Sequence, residues 1–214
     1  MFFGDELRFT SDDYDLAGFA VGAVERTHLL PRSDMKAGDV LLALPSSGPH
    51  SNGFSLIRKI VTLSGLDLQS PAPWEPSSTV GDALLTPTRI YIKQLLPGIK
   101  AGLFKGMSHI TGGGFMENIP RIFSAESGLG VRIDCTTWEL PGIWRWLMKA
   151  GGVSAAEMAR TFNCGVGMVI VLGRKDLDAA VRSLRENGEE GVFVMGEVLG
   201  RSGVKYTGME RWEV

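Results

Sequence analysis

The chain has 214 residues, with 22 basic against 24 acidic side chains and a formal net charge of −2. This length predicts a globular protein of one or two domains with enough apolar residues, 44% of the total, to form a hydrophobic core. Because the charge is near neutral and no run of Lys and Arg exceeds two residues, the sequence argues against nucleic-acid binding but leaves small anionic ligands open.

The apolar runs and the cysteines predict a cytoplasmic protein. The longest apolar runs, such as 40–45 and 166–172, fall far short of the ~20 residues that span a bilayer, and Met1 leads into no signal segment. Cys135 and Cys164 fit a reducing compartment. Since no group of Cys and His has metal-site spacing, we expect no metal ligands in this chain.

Apolar periodicity predicts an alternating order of strands and helices after a polar tail at residues 1–13. Strands are predicted at Tyr14–Arg26, Val40–Leu44, Phe104–Ile110, Val131–Asp134, Val166–Leu172 and Val192–Leu199. Helices are predicted from Phe54 to a stop at Gly65 and at Thr88–Ile99, Phe115–Ile122, Ile143–Ala150, Ser154–Arg160 and Leu177–Asn187. This order predicts an α/β, or layered α+β, domain with a mixed sheet covered by helices.

Two local features refine this prediction. Ser51 or Asn52 is available as the N-cap of the helix that begins near Phe54. The stretch 67–81 is rich in proline and serine, which predicts a surface loop.

Glycine accounts for 28 residues, about twice the usual ~7%, and it is concentrated beside apolar runs. The first such segment, 46–53, lies between a predicted strand and a predicted helix and contains His50. Free N–H groups at a helix start suit a phosphate or carboxylate, and His50 could act as a donor or as a general acid or base. The alternative is a capped helix start in a tight turn.

The second segment, His109–Gly114, ends in three consecutive glycines. Such a run can aim successive N–H groups at one anion, although it matches neither a P-loop nor a dinucleotide fingerprint. The alternative is a flexible turn. Because this segment and 46–53 both follow strands of one expected sheet, we predict that they converge on one anion site.

The third glycine segment, Thr161–Gly167, precedes an apolar strand, and its glycines are interpreted as allowing close packing. Cys164 has no assignable base partner, so a buried packing cysteine is favoured over a nucleophile. Arg89 and Lys93, four residues apart, either neutralise a phosphate or form a solvated basic helix face. Three tryptophans could stack a base but are interpreted as core residues: Trp138, Trp144 and Trp146.

Taken in order, five segments resemble aminoimidazole ribonucleotide synthetase, also called phosphoribosylformylglycinamidine cyclo-ligase: YDLAGFAVG, SSGPHSNGFSLIRK, LLTPTRIYIK, HITGGGFMENIPR and MARTFNCGVGM. The resemblance extends from about Tyr14 to Leu199. It implies an enzyme of purine biosynthesis that uses ATP to close an imidazole ring on formylglycinamidine ribonucleotide, releasing ADP and phosphate. In that reaction the formyl oxygen is phosphorylated, the amidine nitrogen attacks, and phosphate leaves.

The sequence also departs from that family. Its members are homodimers of two-domain subunits, and their N-terminal domain carries a nucleotide segment and acidic magnesium ligands that this sequence does not contain. The resemblance therefore implies that residues 1–37 are a remnant of the ATP-binding domain and that residues 38–214 are the C-terminal domain. ATP and Mg²⁺ would act in the complete enzyme, with the metal ligands in the missing domain, and this fragment would be inactive alone.

The resemblance also implies site residues. His50 and Asn52 are the candidates for orienting the formylglycinamidine group. Substrate or phosphate binding is assigned to Ser47, Gly48, Ser51, Gly53, Arg89, His109, Thr111, Gly112, Gly113 and Gly114. The alternatives are another ATP-dependent member of the superfamily, such as formylglycinamidine synthetase, selenophosphate synthetase or thiamine-monophosphate kinase, or a non-catalytic binding or interface module.

Overall fold

A six-stranded mixed sheet lies at the centre of the computed structural model, which describes residues 18–213. The strands are β1 Val40–Pro45, β2 Pro71–Ala72, β3 Glu75–Thr79, β4 Gly106–His109, β5 Gly130–Asp134, β6 Val166–Leu172, β7 Phe193–Leu199 and β8 Gly203–Thr207. The large sheet has the order β4-β6-β1-β7-β5-β8, and β2 pairs with β3 in a separate hairpin. Only the β5–β8 pair is parallel, so the predicted mixed α/β sheet is confirmed.

Helices cover both faces of this sheet. They are α1 Phe54–Leu63, α2 Val80–Leu84, α3 Ile92–Lys100, α4 Gly114–Asn118, α5 Gly142–Gly151, α6 Ala155–Thr161 and α7 Leu177–Glu186. A short 3₁₀ turn, Ile119–Ile122, continues from α4, so the predicted helix at Phe115–Ile122 is α-helical only in its first part.

Strand β1 shows why the core has two halves. Its side chains point alternately to opposite faces, as the pleat requires. Leu41 and Ala43 belong to the larger apolar cluster with α1, α5 and α6, whereas Leu42 and Leu44 belong to a second cluster with α3 and α7. Because both faces are covered, the strand is apolar along its whole length.

The predicted strand Tyr14–Arg26 is wrong for the residues that the structure describes. Residues 18–25 form no regular structure, and a 3₁₀ turn follows at Arg26–His28; residues 14–17 lie outside the described range. Residues 18–25 are all exposed, and no described strand pairs with them. An apolar pattern without a pairing partner does not hold a strand.

Three further predictions need correction. The stretch 67–81 is not only a loop, because it contains the β2–β3 hairpin and the first two residues of α2. The helix predicted from Thr88 begins at Ile92. Strand β8 was not predicted, and it pairs with β5 at the end of the sheet with alternating half-exposed side chains.

The cap predicted for α1 is also different. Gly53, with φ +76°, occupies the N-cap position, and no side chain caps the helix. Ser51 and Asn52 lie before it, and the Asn52 side chain bonds elsewhere. The predicted stop is confirmed, since Gly65 follows α1 with φ +75°.

The directions of the strands bring the three glycine segments to the same edge of the sheet. Strands β1 and β4 both run antiparallel to β6, which lies between them, so they run parallel to each other. Their C-terminal ends therefore lie at one edge of the sheet, beside the N-terminal end of β6. All three glycine segments extend from this edge. Among residues 18–213, no helix is long and apolar enough to cross a membrane.

Replacing Gly114 by alanine should test how closely the triple glycine approaches helix α6. Gly114 has φ +53°, and an added Cβ would overlap the backbone carbonyl of Ala159. We expect Gly114→Ala to lower the free energy of unfolding by more than about 2 kcal/mol, measured by urea denaturation. Gly102→Ala is the control, because Gly102 has φ +67° but open space around it. Equal losses in the two variants would show that the contact with Ala159 does not matter.

Candidate functional site

The segments 46–53 and His109–Gly114 meet through a side chain. Asn52 accepts a hydrogen bond at its Oδ1 from the Gly112 N–H, at 2.9 Å, and its Nδ2 donates to the carbonyl of His50. The two loops predicted to converge are thus in direct contact at the common sheet edge.

The third segment, Thr161–Gly167, joins them through Asn163, a residue that the sequence did not single out. Asn163 is buried, and its Nδ2 donates to the Gly48 carbonyl at 2.8 Å. Its Oδ1 accepts from the Ser46 hydroxyl at 3.1 Å and from the Gly165 N–H at 2.9 Å. One buried amide therefore links the loop after β1 to the loop before β6.

Backbone strain is concentrated in these loops. In the described part of the chain, three residues other than glycine have positive φ: His50 at +53°, Ser51 at +57° and Cys164 at +48°. Left-handed backbone is unfavourable for such residues and persists where the surroundings enforce it, which is common at functional sites.

His50 is buried and held as an acceptor. Its Nε2 accepts from the Ser47 N–H at 3.0 Å, and the Arg89 N–H lies 3.4 Å from the same atom. Burial, with smaller effects of the charges on His109 and Arg89, lowers the pKa of His50 to about 4. The ring is therefore neutral at pH 7 and carries its proton on Nδ1, which has no partner among the described residues.

His109 and Tyr91 lie beside the His50 ring, with ring centroids 5.8 Å and 6.2 Å from it. His109 is exposed, and partial desolvation lowers the pKa of its ring. The rings of Tyr91 and His50 pack over Gly167, where an added Cβ would overlap the Tyr91 hydroxyl and press on His50. The glycine near the start of β6 therefore allows this close approach, as the sequence predicted for the segment.

The triple glycine is shaped by Asn118, another residue that the sequence did not single out. The buried Nδ2 of Asn118 donates to the carbonyls of Gly112, at 3.1 Å, and Gly114, at 2.7 Å. Its Oδ1 accepts from the Thr111 hydroxyl at 3.1 Å. The loop is consequently fixed rather than a flexible turn. Gly113, with φ +90°, is the N-cap position of α4.

Several donors that were predicted to face an anion are used inside the protein. The N–H groups concerned are those of Ser47, Asn52, Gly112 and Gly114. The Ser47 hydroxyl donates to the Pro87 carbonyl at 2.8 Å, and the exposed Ser51 hydroxyl lies 3.4 Å from that of Thr88. The loops are therefore assembled mainly by their own hydrogen bonds.

Arg89 does not share a helical face with Lys93, because α3 begins only at Ile92. The Arg89 guanidinium instead contacts Glu189, at 2.6 Å, and the Pro45 carbonyl, at 3.2 Å. It lies beside the histidines, but it is already paired.

The packing interpretations of the cysteine and the tryptophans are confirmed. Cys164 is fully buried, and burial raises the pKa of its thiol well above the usual value, which does not suit a nucleophile. Trp144 is buried, and Trp138 and Trp146 pack against the same core. Trp138 also donates from Nε1 to the Cys164 carbonyl at 3.0 Å.

The side chains of residues 18–213 do not fit a metal ion. No group of three or more His, Cys, Asp or Glu in this range is arranged to hold one.

Solved structures share this fold at low sequence identity. E. coli HypE matches with a TM-score of 0.56 and 20% identity over 82% of this chain and 48% of its own. Thiamine-monophosphate kinase from Stenotrophomonas maltophilia K279a matches with a TM-score of 0.58 and 16% identity over 86% of this chain and 55% of its own. PurLQS from Thermotoga maritima matches with a TM-score of 0.50 and 13% identity over 86% of this chain and 26% of its own.

The chain thus spans about half the length of the first two structures. A protein-family model described as AIR synthase related protein, C-terminal domain, matches residues 36–208. This range contains all the strands and helices defined above and all three converging loops. The chain therefore belongs to the family of AIR synthase related C-terminal domains.

Proposed function

We propose that this chain is the C-terminal part of an ATP-dependent cyclo-ligase that converts formylglycinamidine ribonucleotide to aminoimidazole ribonucleotide. One observation carries the proposal: the loops containing SSGPHSNG and HITGGG, which carry the resemblance to the cyclo-ligases, are joined at one sheet edge by the Asn52–Gly112 hydrogen bond. Loops at such an edge are where open α/β folds bind ligands.

The geometry supports different roles for the residues in these loops. His50 accepts from Ser47 and has a lowered pKa, which favours a positioning role over proton transfer at neutral pH. Asn52 joins the two loops, and the exposed ring of His109 is available to a ligand. In this proposal the substrate meets His109, Ser51 and the triple glycine, while His50 and Asn52 hold these groups in place.

The proposal also assigns roles to the parts of the parent enzyme outside residues 38–214. ATP and Mg²⁺ are assigned to a part of the parent protein outside this chain, since the described residues do not fit a metal. Residues 1–37 would belong to that N-terminal part and residues 38–214 to the C-terminal domain. The complete enzyme would be a cytoplasmic homodimer.

Other members of the superfamily are a second class of candidates. HypE and thiamine-monophosphate kinase have nearly equal TM-scores against this chain, 0.56 and 0.58. Similarity of fold therefore does not identify which reaction the parent protein catalyses. A non-catalytic binding module is the third alternative. Ligand binding separates these candidates.

The isolated chain should not turn over ATP. Phosphoryl transfer depends on a positioned metal ion and charge clamps, and the described residues do not provide the metal ligands. We expect no aminoimidazole ribonucleotide above background when the chain is incubated with ATP, Mg²⁺ and formylglycinamidine ribonucleotide. Turnover dependent on both substrates would contradict the assignment of ATP and magnesium to another part of the enzyme.

Binding of formylglycinamidine ribonucleotide should nevertheless be detectable by NMR. We expect it to shift the ring signals of His109 more than those of exposed His28, and Asn52→Ala to weaken binding on the order of tenfold because the two loops separate. Gln69→Ala, which removes an exposed amide in the 67–81 segment, is the control. A response to thiamine monophosphate instead would favour the second class of candidates, and the absence of any ligand response would favour a non-catalytic module.

The buried His50 should make stability depend on pH. Its pKa is about 4 in the folded state, against about 6.5 unfolded, so the unfolded chain binds more protons between these values. The free energy of unfolding should fall by up to about 3 kcal/mol as the pH decreases from 6.5 to 4 and should not change through this group above pH 6.5.

Urea denaturation at a series of pH values measures this dependence. His50→Gln should flatten the decrease, whereas His28→Gln, at an exposed position, should retain it. An unchanged slope in His50→Gln would show that His50 can be protonated in the folded protein without cost.

A further inference from the structure

A buried ion pair beside the site involves Glu189, which lies between α7 and β7. Its Oε2 is 2.6 Å from Arg89 Nη2, and only 2% of its side chain is exposed, against 26% for Arg89. Its Oε1 accepts from the Gly191 N–H at 3.2 Å. The carboxylate is thus fixed by its own turn on one side and by the guanidinium on the other.

Arg89 is in turn fixed against the end of β1. Its Nη1 donates to the Pro45 carbonyl at 3.2 Å, which also accepts from the Tyr91 hydroxyl at 2.7 Å. The guanidinium lies 5.3 Å from the centre of the Tyr91 ring. These contacts leave the cation little freedom to turn away from Glu189.

A ligand could nevertheless reach Arg89. A groove of about 370 Å³ is lined mainly by apolar side chains, and Arg89, Tyr91 and His109 are among its lining residues, so Arg89 and the exposed imidazole border one opening. A bare arginine in such a groove would attract any phosphate. With Glu189 in contact, the pair is neutral overall and that attraction is reduced.

We propose that Glu189 masks the charge of Arg89 so that this part of the site does not capture free inorganic phosphate. The inference rests on the proposed function, in which phosphate is a product that must leave. Glu189 acts through Arg89 and is therefore a positioning residue: it keeps the guanidinium at the end of β1 as a hydrogen-bond donor while cancelling its charge.

Neutralising Glu189 tests the proposal through a gain of binding, which a merely destabilised site would not produce. In Glu189→Gln the amide keeps the shape of the side chain while the charge on Arg89 is no longer balanced. We expect the Kd for inorganic phosphate, measured by NMR titration of the His109 ring at low salt, to fall on the order of tenfold. At an effective dielectric constant near 20, one unit charge about 12 Å away already changes a Kd tenfold, so tenfold is the smallest gain expected for a carboxylate in contact with Arg89.

The neighbouring residue provides a matched control. Glu190→Gln removes the same charge from an exposed position, and the phosphate Kd should stay within about twofold of the wild-type value. The double variant Arg89→Gln/Glu189→Gln should lose the gain. If Glu189→Gln does not fold, Glu189→Ala, which also removes the carboxylate from Arg89, should show the same gain in phosphate binding, and no gain in that variant would overturn the masking.

The outcomes separate this inference from the proposed function. Wild-type binding of formylglycinamidine ribonucleotide with no tightening of phosphate in Glu189→Gln would overturn the masking and leave the function standing. Tighter phosphate binding in Glu189→Gln without wild-type binding of formylglycinamidine ribonucleotide would support the masking and count against the function. If the tighter phosphate binding persists in the double variant, the masking is also overturned, because the tightening would then not depend on Arg89.

Discussion

The antiparallel pairing of β6 with both β1 and β4 is the constraint on which the site depends. A strand between two antiparallel neighbours makes those neighbours parallel, and it brings their C-terminal loops to the edge where it begins itself. Three loops that are far apart in the sequence consequently share one edge. The apolar residues of β6, which contribute to both core clusters, fix the register of this arrangement.

Much of the fold could be predicted because its central strands are apolar on both faces. Val40–Leu44 and Val166–Leu172 are continuous apolar runs bounded by turn residues, and both are strands. The elements that were missed or wrongly predicted depend on partners. Strand β8 has half-exposed side chains and a weak pattern, and it exists because β5 pairs with it. Residues 18–25 have the apolar pattern but no described partner.

Only those site residues that lie in short, recognisable sequence segments could be predicted from the sequence. The glycine loops with His50 and His109 were recognised because strand, loop and helix follow one another locally. Asn163 and Glu189 were not, since their contacts are with residues 115 and 100 positions away, respectively. Buried polar groups act through such long-range partners, and a single sequence does not contain the pairing.

Uncharged amides, rather than ions, hold the three loops together. Asn52, Asn118 and Asn163 each donate to backbone carbonyls through Nδ2 and accept from other groups through Oδ1. An amide can be buried in this way without the desolvation cost of a charge, and its bonds do not depend on pH near neutrality. The loops are therefore formed before any ligand arrives, so little binding free energy is needed to order them. What a ligand recognises is then decided by the groups that these bonds leave free, chiefly the exposed His109 ring.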